Sequence, residues 1–423
     1  MKDNKTVQAL LQDLRNGIKT LQTLLKWIVL AAFVGVLMGF VGSLFAHVLS
    51  FANRLRETYP AIVLCLPAGG LLIVLLYRRH GDDRGTNTVI ASIHSSTDVP
   101  FRMAPLIFIS TAITHLCGGS SGREGAAIQL GGSIANSLGK VLELDTGARK
   151  MIILCGMSAG FSALFGTPMA AAIFSLEVVS IGIMHYSSLV PCVIASLTAN
   201  FTAKFFRVAP EVFPVTEVPA LDPLGLAKML LFASVLGVIS ILFCLMLHNT
   251  GRLYKRLLKN PYLRIAAAGV LIILLSCLLR TGDYLGSGMG LIEQIFHEGT
   301  ASPWAFLLKM VFTALTLGAG FKGGEIVPSF TVGAAFGAVA ASVLGLPVPL
   351  AAACGMVGVF CGVTNCPITS LLISFELFGF AGMPWYLVAV SVSYMLSGRF
   401  GLYREQRQMY SKLENRYINT YTR

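Results

Sequence analysis

Apolar stretches recur with few breaks from Trp27 to Ser397, and nothing else in this 423-residue chain limits its fold so severely. With 55% hydrophobic and 12% charged residues and a mean hydropathy of +0.73, the chain lacks the polar groups needed to cover a water-facing surface of this size. Lipid is therefore the solvent. There the backbone must satisfy its own hydrogen bonds, which leaves helices or closed barrels, and these runs lack the alternation of barrel strands. The fold class is an all-α polytopic membrane protein. Helices are expected near 28–53, 60–78, 103–116, 125–139, 148–165, 168–184, 187–206, 225–257, 262–281, 304–318, 327–344, 349–363, 367–379 and 382–398. A polar helical tail is expected after Tyr403, with no room for a regulatory soluble domain. Many of these segments are shorter than the roughly 20 residues of a full crossing. Gly85, Gly118 to Gly122, Gly166 to Pro168, Gly318 to Pro328 and Thr364 to Pro367 interrupt them. Backbone that unwinds at membrane depth must line a cavity or be packed in protein.

The net charge of +12 has a simple reading. Lys2, Lys5, Arg15, Lys19 and Lys26 precede the first apolar run, Arg252, Lys255, Arg256, Lys259 and Arg264 cluster mid-chain, and Arg399, Arg404, Arg407, Lys412 and Arg416 follow the last. This is the pattern of cytoplasmic loops and tails, so both termini are expected in the cytoplasm and the chain as a multi-pass protein of the inner (plasma) membrane. No basic stripe with interleaved aromatics points to nucleic acid. Residues 1–26 are too polar for a signal peptide. Leu10, Leu11, Leu14, Ile18, Leu21 and Leu25 recur at helical spacing, as in an amphipathic helix lying on the inner leaflet. Cys155, Cys244, Cys277 and Cys354 lie in apolar runs and are expected buried. Cys361 and Cys366 lack zinc-type spacing, and neither a disulfide framework nor a metal or cofactor is expected.

The chain repeats itself. Residues 155–180 (CGMSAGFSALFGTPMAAAIFSLEVVS) align without gaps on residues 354–379 (CGMVGVFCGVTNCPITSLLISFELFG), placing Cys155 on Cys354, Pro168 on Pro367 and Glu177 on Glu376. Upstream, Ile90 meets Ile292, Gly122 meets Gly324 and Gly131 meets Gly333. The duplication divides the chain into a first repeat at 27–206, a loop at 207–224, a second repeat at 225–398 and a terminal segment at 399–423. Paired repeats with broken helices suggest a transporter whose ion site lies near the bilayer midplane.

Three glycine-rich segments precede expected helix starts: GTNTVI at 85, GGSSGREGAAIQLGG at 118 and KGGEIVPSF at 322. Helix beginnings carry unpaired N–H groups and partial positive charge, which together bind anions. Several converging ends hold a dehydrated anion without a full cation, which would hold it too tightly for turnover. Glu124 lies among these glycines, next to Arg123. A carboxylate there can occupy the anion's place and, once protonated, swing away, gating the ion and carrying a proton. The plainer alternative is an acid that complements the helix dipole. An ionisable group at membrane depth favours the functional reading. Glu177 and Glu376, at equivalent repeat positions, read as packing or capping acids, and His115 as a satisfied buried histidine. GSGMG at 286 lacks a βαβ setting, Gly139-Lys140 is not followed by Ser or Thr, and no HExxH or triad order occurs, so an enzyme is not expected.

On these residues the chain resembles the CLC family of chloride channels and anion/proton antiporters. GREGAAIQLGG is similar to that family's GREGP segment, GGEIVPSFTVGAAFG to its GxFxP segment, and GLYREQ to the segment with its pore tyrosine. The resemblance covers nearly the whole chain. It implies a homodimer with one pore per subunit, inverted-topology repeats, and subunit contacts around 168–206 and 367–398. It makes Glu124 the gating glutamate and gives Tyr403 a hydroxyl for the anion, with Gly125, Ala126, Ile326 and Val327 at the helix starts. Where the family has GSGIP, this chain has Gly85, Thr86, Asn87, Thr88 and Val89. Thr86 takes the serine's place, Ala126 replaces a proline, and Val178 falls where chloride exchangers carry an inner proton-relay glutamate. Glu325 stands where chloride-type members are apolar. These departures resemble the family's fluoride-exporting branch, although threonine is common there at the position of Val327. A small, strongly hydrated ion needs strong donors, and Glu325 provides a second pore carboxyl group unless it merely pairs with Lys322.

The expected function is thus fluoride/proton antiport. A chloride/proton exchanger or passive chloride channel is the alternative, and a membrane scaffold or enzyme without transport a third reading. The expected partners are fluoride or chloride, a proton, the lipid bilayer and a second copy of the chain.

Overall fold

The computed structural model describes residues 2–78, 85–95, 97–220 and 222–423, with side chains from Leu11 onward. Lys2, Lys5 and Leu10 of the expected amphipathic segment therefore have side chains outside the described residues. Before the segment at 207–220 come α1 (Lys2–Thr58), α2 (Leu66–Arg78), α3 (Thr86–His94), α4 (Met103–Leu116), α5 (Glu124–Val141), α6 (Thr146–Phe165), α7 (Pro168–Glu177) and α8 (Leu189–Phe205). After it come α9 (Pro223–Leu257), α10 (Pro261–Leu279), α11 (Met289–Glu298), α12 (Ala305–Ala319), α13 (Ile326–Leu344), α14 (Val348–Thr364), α15 (Pro367–Phe378) and α16 (Met383–Leu396). Seven helical segments among the described residues have the length and apolarity to cross a membrane, and the others are shorter.

The two halves meet as a twofold relation demands. Gly122 and Gly324, equivalent in the repeat, exchange antiparallel backbone hydrogen bonds, both 2.6 Å from N to O. Glu177 closes α7 and accepts from Ile368 N (3.0 Å), Thr369 N (2.8 Å) and Thr369 Oγ1 (2.7 Å) at the start of α15. Glu376, in α15, returns the favour to Met169 N (3.0 Å) and Ala170 N (2.9 Å) at the start of α7. Each repeat thus caps the unpaired N–H groups of the other, and Pro168 and Pro367 open their helices where no N–H is needed. The capping role expected for this pair is what the geometry gives.

Glycine sets the closest helix crossings. A Cβ on Gly131 would lie 2.0 Å from Gly156 O, and one on Gly333 would lie 2.2 Å from Gly355 O, so α5 packs on α6 and α13 on α14 backbone to backbone. Between the halves, Phe161, Phe165, Phe330, Phe360 and Phe174 close a ring of aromatic contacts, with centroids 4.9 to 6.1 Å apart.

Several expectations need correction. The first helix runs unbroken to Thr58 rather than dividing near residue 26, because Trp27 follows Lys26 with no glycine or proline to stop it; Leu11, Leu14, Ile18, Leu21 and Leu25 remain exposed along it. The helix begun at Pro168 ends at Glu177 instead of 184, since Ser180–Ile181 forms β1. The tail is not helical: β2 (Arg407–Tyr410) pairs parallel with β1 and antiparallel with β3 (Tyr417–Tyr421), and the β-branched and aromatic residues of YINTY favour the strand. α3 begins at the helix start expected after Gly85, although its extent was not given, and α11 was not among the expected helices. Cys277 is exposed, whereas Cys155, Cys244 and Cys354 are buried.

Candidate anion pathway

Three helices begin at one place. The Gly122–Gly324 exchange brings the first turns of α5 and α13 together, and α3 approaches the same junction. A Cβ on Gly125 would stand 3.0 Å from Gly324 Cα, 3.4 Å from Glu325 Oε2 and 3.8 Å from Thr86 Oγ1. The first intrahelical bonds are those that Ala127 N donates to Arg123 O, Ser329 N to Glu325 O and Thr88 N to Gly85 O. The backbone N–H groups of Gly125, Ala126, Ile326, Val327, Thr86 and Asn87 therefore have no helical acceptor, and none forms another bond among the described residues. Gly125, Ala126, Ile326, Val327 and Thr86 are buried, and Asn87 is half-buried. Orphan donors removed from bulk water are the physical requirement for holding an anion.

Glu124 is fully buried at the first position of α5. Its carboxylate folds back over the helix start, where Arg123 N donates to Oε2 (3.1 Å), and Arg123 Nε lies 3.4 Å from Oε1. Arg123 is itself held from outside, with Nη2 2.7 Å from Glu211 Oε1 and 3.3 Å from Leu164 O. The acid thus occupies the kind of position an anion would take.

Glu325 immediately precedes α13 and borders a cavity of about 1260 Å³. No ion pair joins it to Lys322 among the described residues; the Lys322 ammonium sits 4.1 Å from the centre of the Tyr77 ring. The Tyr403 hydroxyl is buried within reach of Glu325 but forms no well-aligned hydrogen bond among the described residues, and Glu124 influences it more weakly. An orphaned buried hydroxyl costs about 1–3 kcal/mol, which a polar ligand beside it would recover. Asn87 Oδ1 accepts from Glu405 N (3.1 Å), which ties α3 to the segment just past Tyr403, and Asn87 also lines the cavity. Arg78, Arg252, Lys255, Arg264, Lys322 and Arg404 also line the cavity, opposed by Glu325 and Glu405. This surplus of positive charge concentrates anions at its mouth.

Sequence reasoning missed Gln129. This buried amide donates through Nε2 to Thr86 Oγ1 (3.1 Å) and leaves Oε1 unpartnered; a lone amide in the apolar run AAIQLGG was the available signal. It also missed Lys309, a lone cation in FLLKMVF. Fully buried, Lys309 donates to Tyr284 O (3.2 Å) and Gly286 O (2.8 Å) and fixes the GSGMG loop. His115 Nε2 lies 3.4 Å from Gly122 O, but its Nδ1 has no partner, so it is only half satisfied. Val178 is buried, and its carbonyl accepts from Gln406 Nε2 (2.9 Å), which also donates to Thr364 O (2.8 Å).

Residues 69–398 match the family model described as voltage gated chloride channel. A Pseudomonas syringae pv. tomato protein named a chloride/fluoride channel protein is 38% identical over 396 residues, covering 92% of this chain and 87% of its own length. Among solved structures, a CLC-type fluoride/proton antiporter superposes with a TM-score of 0.87 at 34% identity, covering 90% of this chain and 98% of that one. A slow cyanobacterial Cl−/H+ antiporter superposes with a TM-score of 0.75 at 18% identity, covering 88% and 94%, which speaks for the fold alone.

Proposed function

This chain belongs to the CLC family of voltage-gated chloride channels, as a membrane transporter and not an enzyme, and on that premise we propose that it exchanges fluoride for protons. The observation that carries the reading is Glu325, a buried carboxyl group without a cation partner among the described residues, set between the Tyr403 hydroxyl and the cavity. Chloride, large and weakly hydrated, gains little from an acid in its path. Fluoride accepts the strongest hydrogen bonds of any halide, and a protonated carboxyl group supplies such a bond to replace lost hydration.

In this reading the anion sits on the N–H groups of Gly125, Ala126, Ile326 and Val327, with Tyr403, Thr86 and Asn87 completing its shell from the cavity side. Glu124 competes for the outer end of that seat. Protonation neutralises its carboxylate, weakens its attraction to Arg123 and the helix start, and lets it swing aside as the ion passes. One side chain thereby moves an anion one way and a proton the other. With Gln406 closing the place of Val178, Glu325 is the second acid available to the proton. The likeness to a solved CLC-type fluoride/proton antiporter supports fluoride/proton exchange as the reading. We further place both termini in the cytoplasm of an inner-membrane homodimer with one pore per subunit, with repeats at 27–206 and 225–398.

The test is flux from proteoliposomes. Fluoride efflux should drive proton uptake, chloride should fail to do so, and Glu124→Gln should abolish proton movement. Chloride moving as fast as fluoride would overturn the selectivity. Fluoride moving without protons in the intact protein would favour a passive channel, the reading to which the name of the Pseudomonas relative points.

A further inference from the structure

The segment at 207–220 runs past the start of α5 and is anchored on the end of α15 and beside Gly166. Phe213 N donates to Leu377 O (2.8 Å), Val215 N donates to Phe378 O (3.1 Å), and Pro210 packs where a Cβ on Gly166 would stand, at 2.6 Å. This fixed backbone presents Glu211 to Arg123. The guanidinium spans two acids, 2.7 Å from Glu211 through Nη2 and 3.4 Å from Glu124 through Nε, and Leu164 O takes another contact from Nη2. The closer partner is Glu211.

We infer that Glu211 is a positioning residue for the gate: by holding Arg123 at the mouth, it keeps the arginine's grip on Glu124 loose enough for that carboxyl group to leave. The inference rests on the reading of Glu124 as the gate. A guanidinium has a fixed fork and one charge, and an acid at 2.7 Å both turns the fork and offsets the charge that Glu124 feels. Without Glu211, Arg123 turns its full charge on Glu124. The ionised carboxylate is then favoured at the helix start, and protonation, which must precede the swing, requires a more acidic solution. The charged groups around Glu211 are Arg123 and Glu124 at the start of α5 and Glu293 on α11; Glu293 in turn interacts with Glu57 at the end of α1 and His297 on its own helix. All but Arg123 and His297 are acids, and among the described residues Arg123 is the cation paired with Glu211.

The experiment measures proton-coupled fluoride exchange against external pH in proteoliposomes for Glu211→Gln, Glu211→Asp, Arg123→Gln and the Arg123→Gln/Glu211→Gln double variant. Glu211→Gln should slow maximal exchange by about tenfold. It should also shift the pH of half-maximal rate downward by about one unit. The fluoride concentration for half-maximal rate should stay within about twofold, since the anion's donors are untouched. Glu211→Asp should restore most of the rate. In the Arg123→Gln background, the Glu211 substitution should have no further effect. An unchanged rate and pH profile in Glu211→Gln overturns the inference, as does a Glu211 effect that persists in full without Arg123. If Glu211→Gln does not fold, the aspartate variant decides: an unshifted pH profile with a slowed rate overturns the inference, and a recovered rate supports it. Glu124→Gln run alongside separates the two failures, because a Glu124→Gln protein that still couples protons removes the gate itself.

Discussion

Single residues carry the chemistry here, and the informative ones are those whose polarity is left unused. Tyr403 keeps a buried hydroxyl that forms no well-aligned hydrogen bond among the described residues, and the N–H groups of Gly125, Ala126, Ile326 and Val327 likewise lack acceptors. Tyr403→Phe should therefore leave thermal stability unchanged or slightly raised while weakening fluoride binding by about 10-fold, the cost of losing one hydrogen bond to an ion. Calorimetric titration of the purified protein beside a melting curve checks this, and a large fall in stability would mean that the hydroxyl has a structural partner. At this scale the sequence was legible wherever a charge interrupted apolar surroundings. Glu124 and Glu325 stood out for that reason, and Lys309 could have. Gln129 was harder because an uncharged amide costs a helix little. Glu211 was invisible, since an acid in a proline-rich loop carries no sign of the arginine waiting 88 residues upstream.

Elements are held by what happens at their ends. The reciprocal caps of α7 and α15 join the repeats through carboxylates that bond backbone N–H groups in a largely apolar setting. Glu376→Gln should lower stability by about 1–3 kcal/mol, because an amide oxygen replaces only part of the carboxylate's acceptor capacity at a positive helix end. Glu177→Gln should cost more, since Glu177 also accepts from the Thr369 hydroxyl. Thermal unfolding in detergent gives the order, and transport lost at unchanged stability would move these acids from scaffold to mechanism. Most helix positions were readable from runs of apolar residues and their glycine and proline boundaries. The shortest elements share one cause. Thr86–His94 and Met289–Glu298 are too short to stand on their own periodicity and exist because neighbours pack on them. Residues 417–421 form a strand only because β2 provides an edge.

At the scale of the whole molecule, the duplication predicted a pseudo-twofold body, and the Gly122–Gly324 exchange and swapped caps are its physical expression. No repeat announced what joins the ends of that body. The terminal segment does so: Gln406 bonds Val178 O and Thr364 O, one carbonyl from each half, and β2 pairs with β1. Thr422 closes the loop, donating from N to Gln406 O (3.1 Å) and from Oγ1 to Tyr403 O (2.5 Å), while Arg423 N bonds Arg399 O (2.8 Å). Tyr403, proposed above to offer its hydroxyl to the anion, is thus tied by its carbonyl to the end of the chain. Removing residues 417–423 deletes β3 and these bonds but no membrane helix, so the shortened protein should still elute as a single folded species. Tyr403 O would keep the bond from Gln406 N (3.0 Å) but lose the one from Thr422 Oγ1, which loosens the backbone that aims the hydroxyl. Fluoride exchange should fall by about tenfold or more, because a misaimed donor loses most of its hydrogen bond. Thr422→Val, which removes one hydroxyl and keeps the strand, should reproduce part of the loss. Full exchange in the shortened protein would show instead that the helical body alone holds Tyr403 in place.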